Sequence, residues 1–364
     1  MRISFISMDM NENRGGSLYE KRMVDELRER FDEEQLRVID NAGELRDQSS
    51  GLFQNKELLR FITGYRKHAK ELLDCDYLCI NLSTYMNFAC FPWRLKKKSG
   101  CRIIAITHHL DYMGCTGRRR AEGKFFTKKL MKHTDCILTP NPYTRDLMAS
   151  MGFGDKMRLV ETYLDKTIHE ITVPREEIVL TVGGVERRKG LEYGIEAFAK
   201  FSRNHSDYRY VIVGQVNADH EMRVYYEQLK TQIRDLGVED KITFTGNISE
   251  EEKDALYRKA GMFLFPSQLE GYGWVMIEAM SYGDPVIAFD VSAMPYTVNA
   301  SNGVLVPNRD TDAMSRAMAG IADDSGLYAS LSDGARQTVR ALPDRETIKR
   351  QEEAFLKDMA DRKV

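Results

Sequence analysis

Two glutamates separated by seven residues, Glu270 and Glu278, frame the stretch richest in chemistry, Phe265-Pro266-Ser267-Gln268-Leu269-Glu270-Gly271-Tyr272-Gly273-Trp274-Val275-Met276-Ile277-Glu278. The apolar run Met262–Phe265 predicts a strand, the glycines a turn, and Tyr272–Val275 the start of a helix. Glycines let backbone approach a ligand closely, and a helix N-terminus offers free N–H groups to a phosphate. One carboxylate before that helix and one about two turns into it can bind hydroxyl groups at opposite ends of a phosphorylated ligand. Each piece also has a plain reading: Glu270 as a helix-capping acid, Glu278 as a solvated helix residue. The combination favours the ligand.

Other residues add to it. Val182-Gly183-Gly184-Val185-Glu186-Arg187-Arg188-Lys189-Gly190 follows a strand candidate with two glycines and then three cations. Asn13-Arg14-Gly15-Gly16-Ser17 joins the first strand to the first helix, which alone is an ordinary connection. Ile104-Ala105-Ile106-Thr107-His108-His109 ends a buried strand on two histidines. Residues 94–132 carry 12 Lys/Arg against Asp111 and Glu122, and Phe125, Phe126 and Leu130 make Lys124–His133 amphipathic. Such a helix suits an anionic lipid surface or an acidic glycan, with a solvated face as the plain alternative. Asp74-Cys75-Asp76 is a D-x-D string leading straight into a strand, a match short enough to arise by chance, and it is rejected as a metal site.

The string P-S-x-x-E-G-x-G-x-x-x-x-E-A-M-x-x-G-x-P-V-I-A, running from Pro266 to Ala288, resembles the signature of the retaining family-4 glycosyltransferases, which have the GT-B fold. Val211-Ile212-Val213-Gly214, Ile242-Thr243-Phe244-Thr245-Gly246 and Asn302-Gly303-Val304-Leu305-Val306-Pro307 resemble further strand ends of that family. The resemblance implies transfer of a hexose from a UDP- or GDP-sugar to a hydroxyl, with retention of anomeric configuration by front-face displacement. It implies that Lys189 binds the phosphate, that the N–H groups of Gly271, Tyr272, Gly273 and Trp274 surround the donor sugar's hydroxyls and phosphate, with Val275 also in the donor site, and that no metal and no cofactor is required.

By the same resemblance Glu278 holds the ribose, Glu270 lies at the donor sugar, and the loop Gly246, Asn247, Ile248 and Ser249 meets the base. Gly16 faces the donor phosphates, and His108, rather than His109, faces a sugar. Two departures stand out. Gly184 occupies a place where the family usually carries Arg, so either Arg187 or Arg188 substitutes or phosphate binding rests more on Lys189, and Tyr296 follows Pro295 where the family often carries Glu. The catalytic candidates are therefore Glu270, His108 and Lys189. The acceptor implied is a cell-surface polysaccharide or lipid-linked glycan. A small acceptor (a sugar phosphate or an inositol-type compound) and a non-catalytic nucleotide-sugar-binding subunit are the alternatives.

These residues need elements to hold them. Strand candidates Arg2–Ser7, Gln35–Asp40, Tyr77–Asn81, Arg102–Thr107 and Cys136–Thr139 alternate with helical patterns in the first half. Ile178–Val182, Tyr208–Val213, Lys241–Thr245, Met262–Phe265 and Pro285–Phe289 do so in the second. That alternation predicts an α/β protein of two doubly wound, Rossmann-like domains facing a cleft. The domains are expected at 1–170, for the acceptor, and 171–345, for the nucleotide-sugar, with a linker over Asp165–Glu177 and a closing helix over 346–364 that packs back toward the first domain.

Composition agrees with that class. The chain has 364 residues, 42% hydrophobic, with a net charge of −2, which disfavours disorder and nucleic-acid binding. The six cysteines lack metal-ligand spacing and no run approaches a membrane span, so a cytosolic enzyme, peripheral at the inner membrane face, is expected.

Overall fold

The computed structural model describes residues 1–7, 15–40, 74–82, 100–114, 117–161, 167–216 and 220–361. The chain divides into two compact units, Met1–Tyr163 with Arg345–Val364, and Leu164–Asp344. Each is built on a six-stranded parallel sheet. The chain therefore leaves the first unit before 170, and the final helix belongs to that unit.

In the first unit the sheet order is β2-β1-β3-β4-β5-β6. The strands are β1 (Ile3–Ser7), β2 (Leu36–Asp40), β3 (Tyr77–Asn81), β4 (Arg102–Ile106), β5 (Cys136–Thr139) and β6 (Met157–Leu159). β1, β3 and β5 are buried along their whole length because parallel strands are covered on both faces. Helix α1 (Gly15–Arg28) covers one face through Met23, Val24 and Leu27. Helix α2 (Gly117–His133) buries Thr127, Leu130 and Met131 and leaves Phe125 62% exposed and Phe126 38% exposed. Helix α3 (Pro142–Met148) is capped by the Asn141 side chain, which accepts from the Thr144 N–H. β6, a three-residue strand, was not evident from the sequence.

The second sheet runs β12-β11-β10-β7-β8-β9. Its strands are β7 (Ile178–Val182), β8 (Arg209–Val213), β9 (Ile242–Gly246), β10 (Met262–Phe265), β11 (Val286–Phe289) and β12 (Gly303–Val306). Helices α4 (Leu191–Phe201), α5 (His220–Leu236), α6 (Glu250–Lys259), α7 (Trp274–Ser281), α8 (Thr311–Asp323) and α9 (Ser325–Ala341) cover it. The direction of strand winding reverses between β7 and β10, which pair directly, and ligands of such sheets bind beyond the strand ends at that reversal.

Helix α10 (Arg345–Ala360) buries Ile348, Phe355 and Met359 in the first unit, and the Tyr77 hydroxyl donates to the Met359 carbonyl. Cys75, Cys79, Cys101 and Cys136 are buried, while Cys90 and Cys115 lie outside the described residues. Asp74 pairs with Arg2 and Asp76 accepts the Arg2 N–H at 2.8 Å, so both acids of the D-x-D string serve the start of β1.

Candidate active site

The loops after β7 and β10 are pressed together at the reversal point of the second sheet. Gly190 lies at φ +61°, and a Cβ there would come within 2.3 Å of the Pro266 carbonyl oxygen. Only glycine allows that backbone-to-backbone approach. The Gln268 N–H donates to the Arg188 carbonyl at 2.7 Å and locks the two loops in register. Behind them, a Cβ on Gly214 would lie 1.9 Å from the Gly183 carbonyl oxygen, so the β7 and β8 ends need glycine for the same reason.

This packing delivers Lys189 and Arg188 to Glu270, 81 and 82 residues away in sequence. Glu270 is 8% exposed, and its Oε1 accepts from Lys189 Nζ at 2.7 Å, Arg188 Nη1 at 3.1 Å and Ser267 Oγ at 2.7 Å. No donor among the described residues reaches Oε2. Burial alone would raise the pKa of this carboxyl. The adjacent Lys189 ammonium and Arg188 guanidinium, with the Lys189 and Ser267 hydrogen bonds, outweigh it and hold the value at about 2. Glu270 is thus a carboxylate at neutral pH, with one oxygen saturated and the other open to a hydroxyl. It does not cap the following helix.

Arg187 and Arg188 diverge. Arg187 turns away to α5, donating to Gln228 Oε1 at 3.0 Å and lying over the Tyr225 ring. Arg188 stays in the site, steadied by Glu186 at 2.7 Å. Helix α7 begins behind Gly273, at φ +79°, and no side chain caps it. Its first N–H groups stay open to a ligand, beside the stacked rings of Tyr272 and Trp274. Glu278, farther along α7, accepts from the Tyr257 hydroxyl at 3.0 Å and lies 3.6 Å from Lys253 Nζ, so it is a held and partly exposed carboxylate. The loop after β9 starts at Gly246, at φ +72°, whose carbonyl accepts from the Gly214 N–H. Asn247 and Ile248 follow, and Ser249 with Glu252 forms a capping box on α6. Gly184 stands next to Glu186 Oε1.

Gly16 and His108 belong to the first unit, and Asn13 and Arg14 lie outside the described residues. His108 Nε2 is 3.4 Å from Oε1 of the fully buried Glu20, which also accepts from Asn81 Nδ2 at 2.5 Å. The His108 carbonyl takes bonds from Asn141 and Thr144, which fixes its backbone beyond β4. Sequence reasoning missed Glu20, Asn81, Glu186, Ser267 and Ser292. The available signals were Ser267, inside the motif string, and Glu186, inside the Val182–Gly190 segment.

Residues 166–338, which span the whole second sheet, match the family model Glycosyl transferases group 1. The matched segment, just under half of the chain, is similar to group 1 glycosyltransferases. That segment contains the site residues of the second unit, while Gly16, Glu20, Asn81 and His108 lie in the first. The chain is 28% identical over 260 residues to the lipopolysaccharide core biosynthesis mannosyltransferase of Rhizobium leguminosarum bv. viciae, covering 68% of this chain and 73% of that protein. It is 32% identical over 112 residues to the mannosylfructose-phosphate synthase of Agrobacterium fabrum, covering 30% of this chain and 25% of that protein. The whole chain superposes on the sucrose-phosphate synthase of Thermosynechococcus elongatus with a TM-score of 0.78 at 21% identity, covering 99% of each chain. The two Rossmann-like domains are thus those of the GT-B glycosyltransferase structures, as the sequence reading expected.

Proposed function

We propose that the protein is a retaining glycosyltransferase that moves a hexose from a UDP- or GDP-sugar to a hydroxyl of a cell-surface or lipid-linked glycan. The observation that carries this reading is the buried Glu270 carboxylate clamped by Lys189 and Arg188 beside the uncapped start of α7, in a segment similar to group 1 glycosyltransferases. Lys189 commits one of its three N–H bonds to Glu270, leaving donors for the diphosphate. Arg188 and the α7 N-terminus add to that charge stabilisation, the work a divalent metal does elsewhere. Glu270 Oε2 takes a hydroxyl of the donor sugar, and Glu278 the ribose. The bond from the anomeric carbon to the diphosphate oxygen breaks as the acceptor oxygen attacks the same face, and the acceptor proton passes to the departing phosphate oxygen. The domain role of the second unit is donor binding and that of the first is the acceptor side, with His108 facing a sugar and Gly16 the donor phosphates.

The Rhizobium mannosyltransferase, a lipopolysaccharide core enzyme by name, supports a glycan acceptor. The likeness to a mannosylfructose-phosphate synthase favours a second reading in which the acceptor is a sugar phosphate. The exposed α2 face fits a lipid-linked acceptor, because Phe125 and Phe126 stand among Arg118, Arg119, Arg120, Lys124, Lys128 and Lys132. The test is release of nucleoside diphosphate from candidate donors in EDTA, with and without glycan or sugar-phosphate acceptors. Transfer is expected without metal, falling about 10²-fold or more in Lys189→Ala and Glu270→Gln. A strict metal requirement, or full turnover in both variants, would sink this site.

A further inference from the structure

Among the described residues two non-glycine positions have left-handed backbone, Ser292 at φ +56° and Arg309 at φ +64°. Both direct their side chains onto the same short turn, residues 266–270. Arg309 Nε donates to Gln268 Oε1 at 2.8 Å. Ser292 does more: its Oγ accepts from the Glu270 N–H at 3.0 Å and donates to the Glu270 carbonyl at 2.7 Å, closing a ring on the backbone of one residue.

A left-handed position filled for backbone shape alone is best filled by glycine, which adopts it without strain. Serine there adds strain, and what it adds in return is this two-way clamp. The clamp lies on the opposite side of Glu270 from its Lys189, Arg188 and Ser267 contacts in the covalent sense: those hold the carboxylate, Ser292 holds the backbone. Fixing both ends leaves the side chain one orientation.

We propose that Ser292 is a positioning residue for Glu270, holding its backbone so that the carboxylate meets Lys189 and Arg188 while Oε2 faces the donor sugar. The catalytic part of this inference rests on the glycosyltransferase reading; the geometric part does not. The test compares wild type with Ser292→Gly, which relieves the backbone and removes the hydroxyl, and Ser292→Ala, which removes the hydroxyl alone. Three readouts are taken on the full-length protein: the thermal midpoint, the titration of the Glu270 carboxyl by carbon NMR (assigned with Glu270→Gln), and donor turnover.

The expected result is that Ser292→Gly keeps or raises the thermal midpoint while the Glu270 titration moves up toward the ordinary carboxylate range. Turnover is expected to fall about tenfold in both variants, through kcat more than through the donor KM. A purely structural serine gives the opposite pattern. Ser292→Gly with an unmoved Glu270 titration overturns the proposal, whatever its turnover. If the wild type itself turns over no donor, the glycosyltransferase reading fails, and the NMR titration still decides whether Ser292 positions Glu270.

Discussion

Glu270 shows how a single residue is set by its surroundings. A carboxyl so deeply buried would ordinarily be pushed toward neutrality, yet two cations and a serine hydroxyl reverse the sign and bring its pKa to about 2. The unfolded chain titrates such a group near ~4.3. A depressed folded value means stability that is fully present above about pH 4.3 and lost as pH falls through about 2. The shift corresponds to roughly 3 kcal/mol, about 1.4 kcal/mol for each pH unit. Urea unfolding followed from pH 6 to pH 2 should therefore show the stability gap between wild type and Glu270→Gln closing over that window. A gap independent of pH would mean that Glu270 is not held as a charged pair. Spacing made Glu270 and Glu278 legible, because both sit in one continuous motif. Their pairings were not: Lys189 was named from sequence but not its bond to Glu270, and Tyr257 and Ser292 reach the pair from other elements that only folding brings there.

At the scale of elements, apolar runs identified ten of the strands to within about one residue, since parallel strands buried on both faces leave a continuous hydrophobic signal. β6 escaped because Met157-Arg158-Leu159 is too short to show a period, and β12 was reached only through its resemblance to a family strand. The choice between Arg187 and Arg188 needed the one-turn 3-10 segment Arg187–Lys189, which points consecutive side chains in different directions. Helix α2 carries the element-level prediction. Its buried residues are few, and its exposed pair of phenylalanines, rings 5.5 Å apart, is flanked by arginines and lysines. Apolar side chains amid cations favour an anionic lipid surface. In flotation assays the protein should bind vesicles of anionic phospholipid, with binding lowered several-fold by Phe125→Ala with Phe126→Ala and by high salt. Equal binding of the double variant would assign α2 a solvated face. The lysines and arginine at 94–98, part of the same basic stretch, lie outside the described residues.

Across the whole molecule, the duplicated βα alternation signalled two parallel-sheet domains before any motif was weighed. The alternation alone does not show that the first domain is discontinuous, although a closing helix that returns to it was expected and is found. Helix α10 has an ordinary amphipathic pattern, and its assignment to the first unit depends on where Ile348, Phe355 and Met359 find apolar partners. The two halves differ in charge, 29 basic against 24 acidic residues in 1–172 and 24 against 31 in 173–364. The acidic half nevertheless holds the proposed phosphate site, so local placement of Lys189 and Arg188, rather than net charge, has to recognise the donor. The central claim is that a nucleoside diphosphate sugar binds at this pair and at Glu278 without metal. Its most direct test is isothermal calorimetry of UDP, GDP and ADP and their common sugar conjugates in EDTA, on wild type, Lys189→Ala and Glu278→Ala. The account predicts binding by the ligands of one base, weakened at least about tenfold, or about 1.4 kcal/mol, in each variant. Binding by none of them, or equal binding by all three proteins, would contradict it.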